Sequence, residues 1–156
     1  MEIYIVEDDI SVINVLEDII ESNGLGTVCG NSGGRPADPA EVARLNPDVV
    51  LVDFLMPEKD GIQFVRELKA AGSTARCIMI SQVSAKDLIG KAYSAGIDFF
   101  ISKPINIIEV KSVIENVERQ IQNERTLSNI RKMFMAEMNE MPKEKQKNDA
   151  YVKKLQ

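Results

Sequence analysis

Histidine and tryptophan are both missing from the 156 residues. The lack of histidine excludes Ser-His-Asp and Cys-His catalysis, HExxH metalloproteases and zinc fingers of the two-Cys, two-His kind. It also means that this chain cannot itself carry a phosphohistidine. Cysteine is scarce: Cys29 and Cys77 both sit in apolar, strand-like surroundings and read as buried free thiols, not as a disulfide. No apolar run approaches the length of a membrane span, and Met1-Glu2-Ile3 leads directly into a strand-like segment. No signal peptide and no membrane partner are therefore expected, and the expected location is the cytoplasm. An excess of positive charge is missing too. The net charge is −5, with −7 over residues 1–106 and +2 over residues 107–156. The main body is not a nucleic-acid surface by charge. What remains is 44% hydrophobic and 28% charged residues, the balance of a soluble globular protein with room for one domain and a short extension.

The most informative stretch is Val49-Val50-Leu51-Val52-Asp53-Phe54-Leu55-Met56-Pro57-Glu58-Lys59-Asp60-Gly61. Its apolar, β-branched start predicts a strand buried on both faces, with Asp53 where the strand gives way to a loop. Similar strands are predicted over residues 3–6, 25–29, 77–80 and 99–101. Between them, helical periodicity predicts helices over residues 10–22, 40–45, 61–71 and 85–95. Asp38 caps the second of these with Pro39 at its first position, and residues 30–39 read as loop. A long helix begins near Asn106. Five strands alternating with helices argue an α/β parallel sheet covered on both faces, and right-handed crossovers bring all strand ends to one edge. Ligands of such sheets bind at that edge.

The residues delivered there are Glu7 and Asp8 after the first strand, Asp53 after the third, Ser81 after the fourth and Lys103 after the fifth. Converging carboxylates repel one another and need a cation. Oxygen ligands that are few and leave room for water and phosphate suit Mg²⁺ better than Ca²⁺. With a hydroxyl and an ammonium added, the set meets the needs of phosphoryl transfer to a carboxylate. Asp53 is the nucleophile in this reading, Lys103 and the metal offset charge, and Ser81 donates to a phosphoryl oxygen.

Over about residues 1–120 the chain resembles the receiver domain of two-component response regulators. The matching pieces are Val6-Glu7-Asp8-Asp9, then Asp53 through Pro57 with Asp60-Gly61, then Ile80-Ser81, then Ala95-Gly96 through Ser102-Lys103-Pro104. The resemblance implies a flavodoxin-like (βα)5 fold, with a five-stranded parallel sheet in the order 2-1-3-4-5. It implies Asp53 as acceptor of a phosphoryl group from a sensor histidine kinase, and Asp8 as a direct Mg²⁺ ligand. Glu7 would act through water, the main-chain carbonyl of Leu55 would be a further ligand, and Lys103 would bridge to the phosphate. The Lys103–Pro104 peptide is expected to be cis. Ser81 and Phe100 occupy the positions of a hydroxyl that moves onto the phosphate and a ring that swings in behind it. Phe100 lacks the hydroxyl of the common tyrosine, so its inward state depends on packing. Apart from its own phosphotransfer and slow dephosphorylation, such a domain implies no enzyme activity.

Three residues depart from the family pattern. Gln82 stands where a small residue is usual, and Leu55 and Val83 are apolar where fast-cycling members orient water. A long-lived aspartyl phosphate is expected. Beyond residue 120 the helix continues as a linker or dimerisation segment, residues 121–156, ending in a lysine-rich tail after Pro142. The first half of its apolar stripe should close the receiver, and the stripe, including Ile114, Val117, Ile121, Leu127 and Phe134, also reads as a face for a second copy of the chain or for an output domain. A cluster of Met133, Met135, Met138 and Met141 belongs to the same helix. The register slips near Glu124-Arg125, which argues against a strict coiled coil. The run from Met79 to Val83 and the linker helix resemble regulators that join a receiver to a YcbB-type DNA-binding domain. DNA would then be reached only through that output domain, which residues 121–156 are too few to form. Two other classes stand beside this one: a receiver-like dimerisation module that works without phosphate, and a flavodoxin-like enzyme that binds a mononucleotide. The second is disfavoured because three acids follow the first strand where a phosphate-binding loop would stand.

Overall fold

The computed structural model describes residues 1–82 and 86–141. Its elements, in chain order, are β1 (Glu2–Val6), α1 (Ile10–Ser22), β2 (Thr27–Asn31), α2 (Pro39–Leu45), β3 (Val49–Asp53), α3 (Gly61–Ala70), β4 (Arg76–Ser81), α4 (Lys86–Ala95), β5 (Ile97–Ser102) and α5 (Ile107–Glu140). The strands form one sheet in the order β2-β1-β3-β4-β5 with every pairing parallel, so the flavodoxin-like architecture and its long last helix are present. The chain divides into two units, Met1–Val117 and Glu118 onward.

In the first unit, β3 lies in the middle of the sheet and all five of its residues are buried. That is why its sequence is an unbroken apolar run and not an alternation. Alternate strand residues Val6, Val50, Val52, Cys77 and Met79 pack on Val42 of α2, on Phe64, Val65 and Leu68 of α3, and on Ala92 of α4. The buried residues Ile13, Leu16, Ile19 and Ile20 of α1 and Val110, Ile114 and Val117 of α5 supply the cover that right-handed crossovers place on the other face. Each large side chain taken fully from water contributes roughly 1.5–3 kcal/mol.

The edge strand departs most from expectation. β2 begins and ends two residues later than its periodicity suggests, with Gly30 and Asn31 inside the strand. Gly30 is there because a Cβ would fall 2.9 Å from the ring of Tyr4, which packs over it. A glycine that makes room for a neighbouring ring looks, in sequence, like a loop. Asp38 does cap α2, accepting the Ala40 N–H at 3.0 Å, with Pro39 in the first turn. In α4, Ala92 is fully buried but Tyr93, read with it as part of an apolar face, is 54% exposed.

Asn106 caps α5 by accepting the N–H groups of Ile108 and Glu109. Ile114 and Val117 are both 0% exposed within the first unit, as expected of a helix whose first half closes the receiver, which corrects their placement on a free dimerisation stripe as well. The 3.6-residue period that carries them into the core continues through Ile121, and the sequence shows no break between the two roles. In the second unit, Leu127, Ile130, Met133 and Met135 are exposed, while Ile121, Phe134 and Met138 are half-buried. Expectations concerning Val83, Pro142 and the lysine-rich tail fall outside the described residues. Among the described residues, no helix is long and apolar enough to cross a membrane.

Candidate functional site

β1, β3, β4 and β5 run in the same direction, so Glu7, Asp53, Ser81 and Lys103 emerge at one edge of the sheet. With Asp8, Asp9, Phe54, Leu55 and Gln82 they line a recess of about 250 Å³. Glu7 and Asp53 are buried and Asp8 is exposed, and one carboxylate oxygen from each lies within 4.8 Å of the other two. The Lys103 ammonium stands 3.1 Å from Asp53 Oδ1 and 3.6 Å from Glu7 Oε2. Ser81 closes β4 and is buried, whereas the side chain of Leu55 is 62% exposed and Gln82 is also open to solvent.

The loop after β3 is shaped to leave Asp53 in place. A Cβ on Gly61 would fall 2.5 Å from the Asp53 carbonyl oxygen, so only glycine lets α3 start so close to the strand end. The Gly61 N–H donates to the Phe54 carbonyl at 3.0 Å, and Asp60 caps α3 by accepting the Gln63 N–H at 2.8 Å. Asp60 is therefore a helix cap and not a member of the acidic cluster. Asp9 has a similar task on α1, where its bonds from the Ser11 hydroxyl and N–H hold its carboxyl below the ordinary range.

Glu7 carries the main electrostatic tension. Its Oε1 accepts the N–H groups of Asp8 and Asp9, each at 3.1 Å, while Oε2 is buried with no hydrogen-bond partner among the described residues. Burial, reinforced by the contact with Asp8 and by the charge of Asp53, pushes the Glu7 carboxyl up to about 7; the Asp9 N–H and Lys103 only partly oppose this. Burial alone would lower the Lys103 ammonium, but pairing with Asp53 and then Glu7 outweighs it and raises the group above its ordinary value.

Among the described residues, three carboxylates gather beside the Lys103 ammonium, and one buried carboxylate oxygen has no hydrogen-bond donor. A buried charge left in this way is costly unless a cation completes the set. The donors are all oxygen, too few to enclose an ion, and open to solvent on one side, which fits a hard divalent cation that keeps several waters.

Around this centre, the Lys103–Pro104 peptide is cis. Ser102, next to Lys103, donates its N–H to Glu109 Oε1 at 2.5 Å and its hydroxyl to the same carboxylate, which ties the strand end to the first turn of α5. Phe100 is half-buried and meets Tyr93 edge to face, with ring centroids 5.3 Å apart. The proposed linker residues Ile121, Leu127 and Phe134 lie in the second unit and form no part of this recess. Sequence reasoning missed Ser32. Its hydroxyl donates to the Glu7 carbonyl at 2.7 Å and accepts the Glu7 N–H at 3.0 Å. Nothing in a serine between Asn31 and two glycines signals such a contact, because the same residues make an ordinary turn.

Comparison with known proteins agrees with this geometry. The chain is 38% identical over 131 residues to the transcriptional regulatory protein GlnL of Bacillus subtilis, covering 83% of this chain but 41% of GlnL. The chain thus spans about two-fifths of that relative's length. It is 33% identical over 112 residues to the chemotaxis protein CheY of the same organism, covering 72% of this chain and 92% of CheY. Among solved structures, the receiver domain of AraT from Geobacillus stearothermophilus superposes with a TM-score of 0.67 at 20% identity, over 80% of this chain and 97% of that one. A chain of the CheX-CheY-BeF3-Mg²⁺ complex from Borrelia burgdorferi gives 0.65 at 26% identity, over 75% of this chain and 88% of its own. The family model for the response regulator receiver domain matches residues 3–115. On sequence and fold together, the chain belongs to the receiver domains of two-component response regulators.

Proposed function

We propose that this receiver accepts a phosphoryl group on Asp53 from a sensor histidine kinase in an Mg²⁺-dependent transfer. The observation that carries the reading is the buried Asp53 carboxylate, held 3.1 Å from the Lys103 ammonium and beside two further acids. An Asp53 oxygen attacks phosphorus, the P–N bond of the donor phosphoimidazole breaks, and the imidazole leaves with the bonding electron pair and takes up a proton. Asp8 and Asp53 would hold the Mg²⁺ with the Leu55 carbonyl, and Glu7 through water; bound there, the ion would offset charge on the transferring oxygens. Lys103 moves from a pure carboxylate pair toward the acyl phosphate and keeps its proton throughout. Ser81, at the end of β4, donates to a phosphoryl oxygen in this reading, which its position lining the recess supports.

Engagement of Ser81 vacates space toward β5, and Phe100 fills it at the expense of its contact with Tyr93. The phosphorylated state therefore favours a different surface on α4, β5 and α5, a population shift in which phosphate binds one state better. Leu55 lines the recess with an exposed, apolar side chain that offers nothing to orient an attacking water, so the mark is long-lived. The output is dimerisation through the second unit and transcriptional control through a DNA-binding domain of the YcbB type. The transcriptional part rests on the likeness to GlnL, whose name is that of a transcriptional regulator and of which the chain spans 41%, and the dimerisation part on the exposed apolar residues of the second unit.

The test is incubation with acetyl phosphate and Mg²⁺, with Asp53→Asn as control and intact mass and self-association as readouts. A gain of one phosphate in the wild type alone, surviving for many minutes and accompanied by altered self-association, is the expected outcome. No gain in the wild type points instead to a module that works without phosphate. A phosphate half-life of seconds refutes the role given to Leu55.

A further inference from the structure

We propose that Ser32 is a positioning residue for the metal-binding acids, holding the backbone of Glu7 through a two-way hydroxyl clasp. This rests on the reading of the acidic recess as a divalent-cation site.

Glu7 lies just beyond the end of β1. The last paired residues of β1 are Ile5, opposite Asn31 of β2, and Val6, opposite Val52 of β3. Ser32 follows β2 and extends that edge by one bond, its N–H donating to the Ile5 carbonyl at 3.0 Å. The chain then turns away through Gly33 and Gly34, whose φ angles of +57° and +76° take it out of any strand. The N–H and C=O of Glu7 are left beside a sheet that no longer supplies a neighbouring backbone on the β2 side. Ser32 serves both: its one hydroxyl proton goes to the carbonyl at 2.7 Å and a lone pair takes the N–H at 3.0 Å. A hydroxyl can do both at once.

Position matters because of what the Glu7 backbone carries. The Glu7 side chain is buried and folds back so that Oε1 accepts from Asp8 and Asp9, which leaves Oε2 toward Lys103 at 3.6 Å with no hydrogen-bond donor among the described residues. Releasing the Glu7 backbone therefore frees the turn that presents both Glu7 and Asp8. The 4.8 Å grouping of the three carboxylates then has to be assembled by the ion when it binds. Groups that orient metal ligands from behind commonly influence affinity by 10- to 100-fold. A residue that merely terminates β2 would affect stability and leave the ion's affinity alone.

The experiment is calorimetric titration of the full chain with MgCl2, for the wild type, Ser32→Ala and Ser32→Thr, with circular dichroism and urea unfolding on each. Ser32→Ala is expected to keep the wild-type spectrum and bind Mg²⁺ about tenfold more weakly, whereas Ser32→Thr, which retains the hydroxyl, stays within about twofold of wild type. If Ser32→Ala does not fold, Ser32→Cys, similar in size and a poor donor, replaces it under the same criterion. A wild type that binds Mg²⁺ with an alanine variant that binds equally well overturns the clasp alone. A threonine variant as weak as alanine also overturns it. A wild type that takes up no Mg²⁺ overturns the cation reading of the recess, and the clasp's role falls with it.

Discussion

Replacing Glu7 by glutamine removes the buried charge whose Oε2 lacks a donor among the described residues, while keeping its shape and its Oε1 acceptor. In the folded protein the Glu7 carboxyl is pushed up to about 7, against 4.5 for an unburied one. Between those values the folded state holds a proton that the unfolded chain has released. Stability therefore falls as pH rises through this window; the contribution is fully present below 4.5 and lost above about 7. At 1.36 kcal/mol per unit, the loss amounts to about 3 kcal/mol at most. Glutamine cannot ionise, so the variant should lack this part of the slope. It should match the wild type near pH 4.5 and exceed it at pH 8, by no more than about 3 kcal/mol, which is on the order of 10 °C in Tm. The assay is urea unfolding followed by circular dichroism in EDTA across this range. Differencing the two curves cancels the other titrating groups to the extent that they act independently. Added Mg²⁺ should flatten the wild-type curve by favouring the carboxylate and leave the variant little changed. Parallel curves in EDTA, with no gain for the variant at pH 8, refute the argument that burial of Glu7 is the source of the tension.

Lys103→Ala removes the ammonium shared by Asp53 and Glu7. In EDTA at pH 8 it should lose about 2 kcal/mol, between the values for exposed and fully buried pairs, and urea unfolding reads this directly. Gly61→Ala forces a Cβ to within 2.5 Å of the Asp53 carbonyl, so α3 must shift. A loss of about 2 kcal/mol and perturbed amide signals for residues 53–55 are expected in nuclear magnetic resonance spectra. Tyr93→Ala removes the edge-to-face partner of Phe100 at a loss of about 1 kcal/mol, and the Phe100 ring signals should move toward those of the phosphorylated state. Unchanged ring signals would refute a latch between the two aromatics.

Much of the acidic site was legible because it is written at strand ends. Asp53 closes β3, Ser81 closes β4, and Lys103 follows Ser102 at the end of β5, so the alternation of strands and helices places them on one edge without any knowledge of side-chain contacts. Asp38 and Pro39 were equally legible, since a cap and a first-turn proline act within a few residues of themselves. Gly30 was not, because the reason for a strand glycine is the Tyr4 ring on another strand. Ser32 was hidden in the same way, its partner Glu7 being 25 residues away. Ile114 and Leu127 show the limit of periodicity: both fit an apolar helical stripe, yet one is fully buried and the other is 56% exposed.

The amino-acid sequence by itself determined the alternating elements and the edge at which the acids meet the lysine, since these follow from local patterns and the single handedness of the crossovers. The tertiary structure alone decided which of the three acids is under strain, that Phe100 is paired with Tyr93, and that a serine from the neighbouring loop grips the backbone of Glu7. Those outcomes depend on distances between residues far apart in the chain and on the removal of water around them, and no local pattern of residues encodes either.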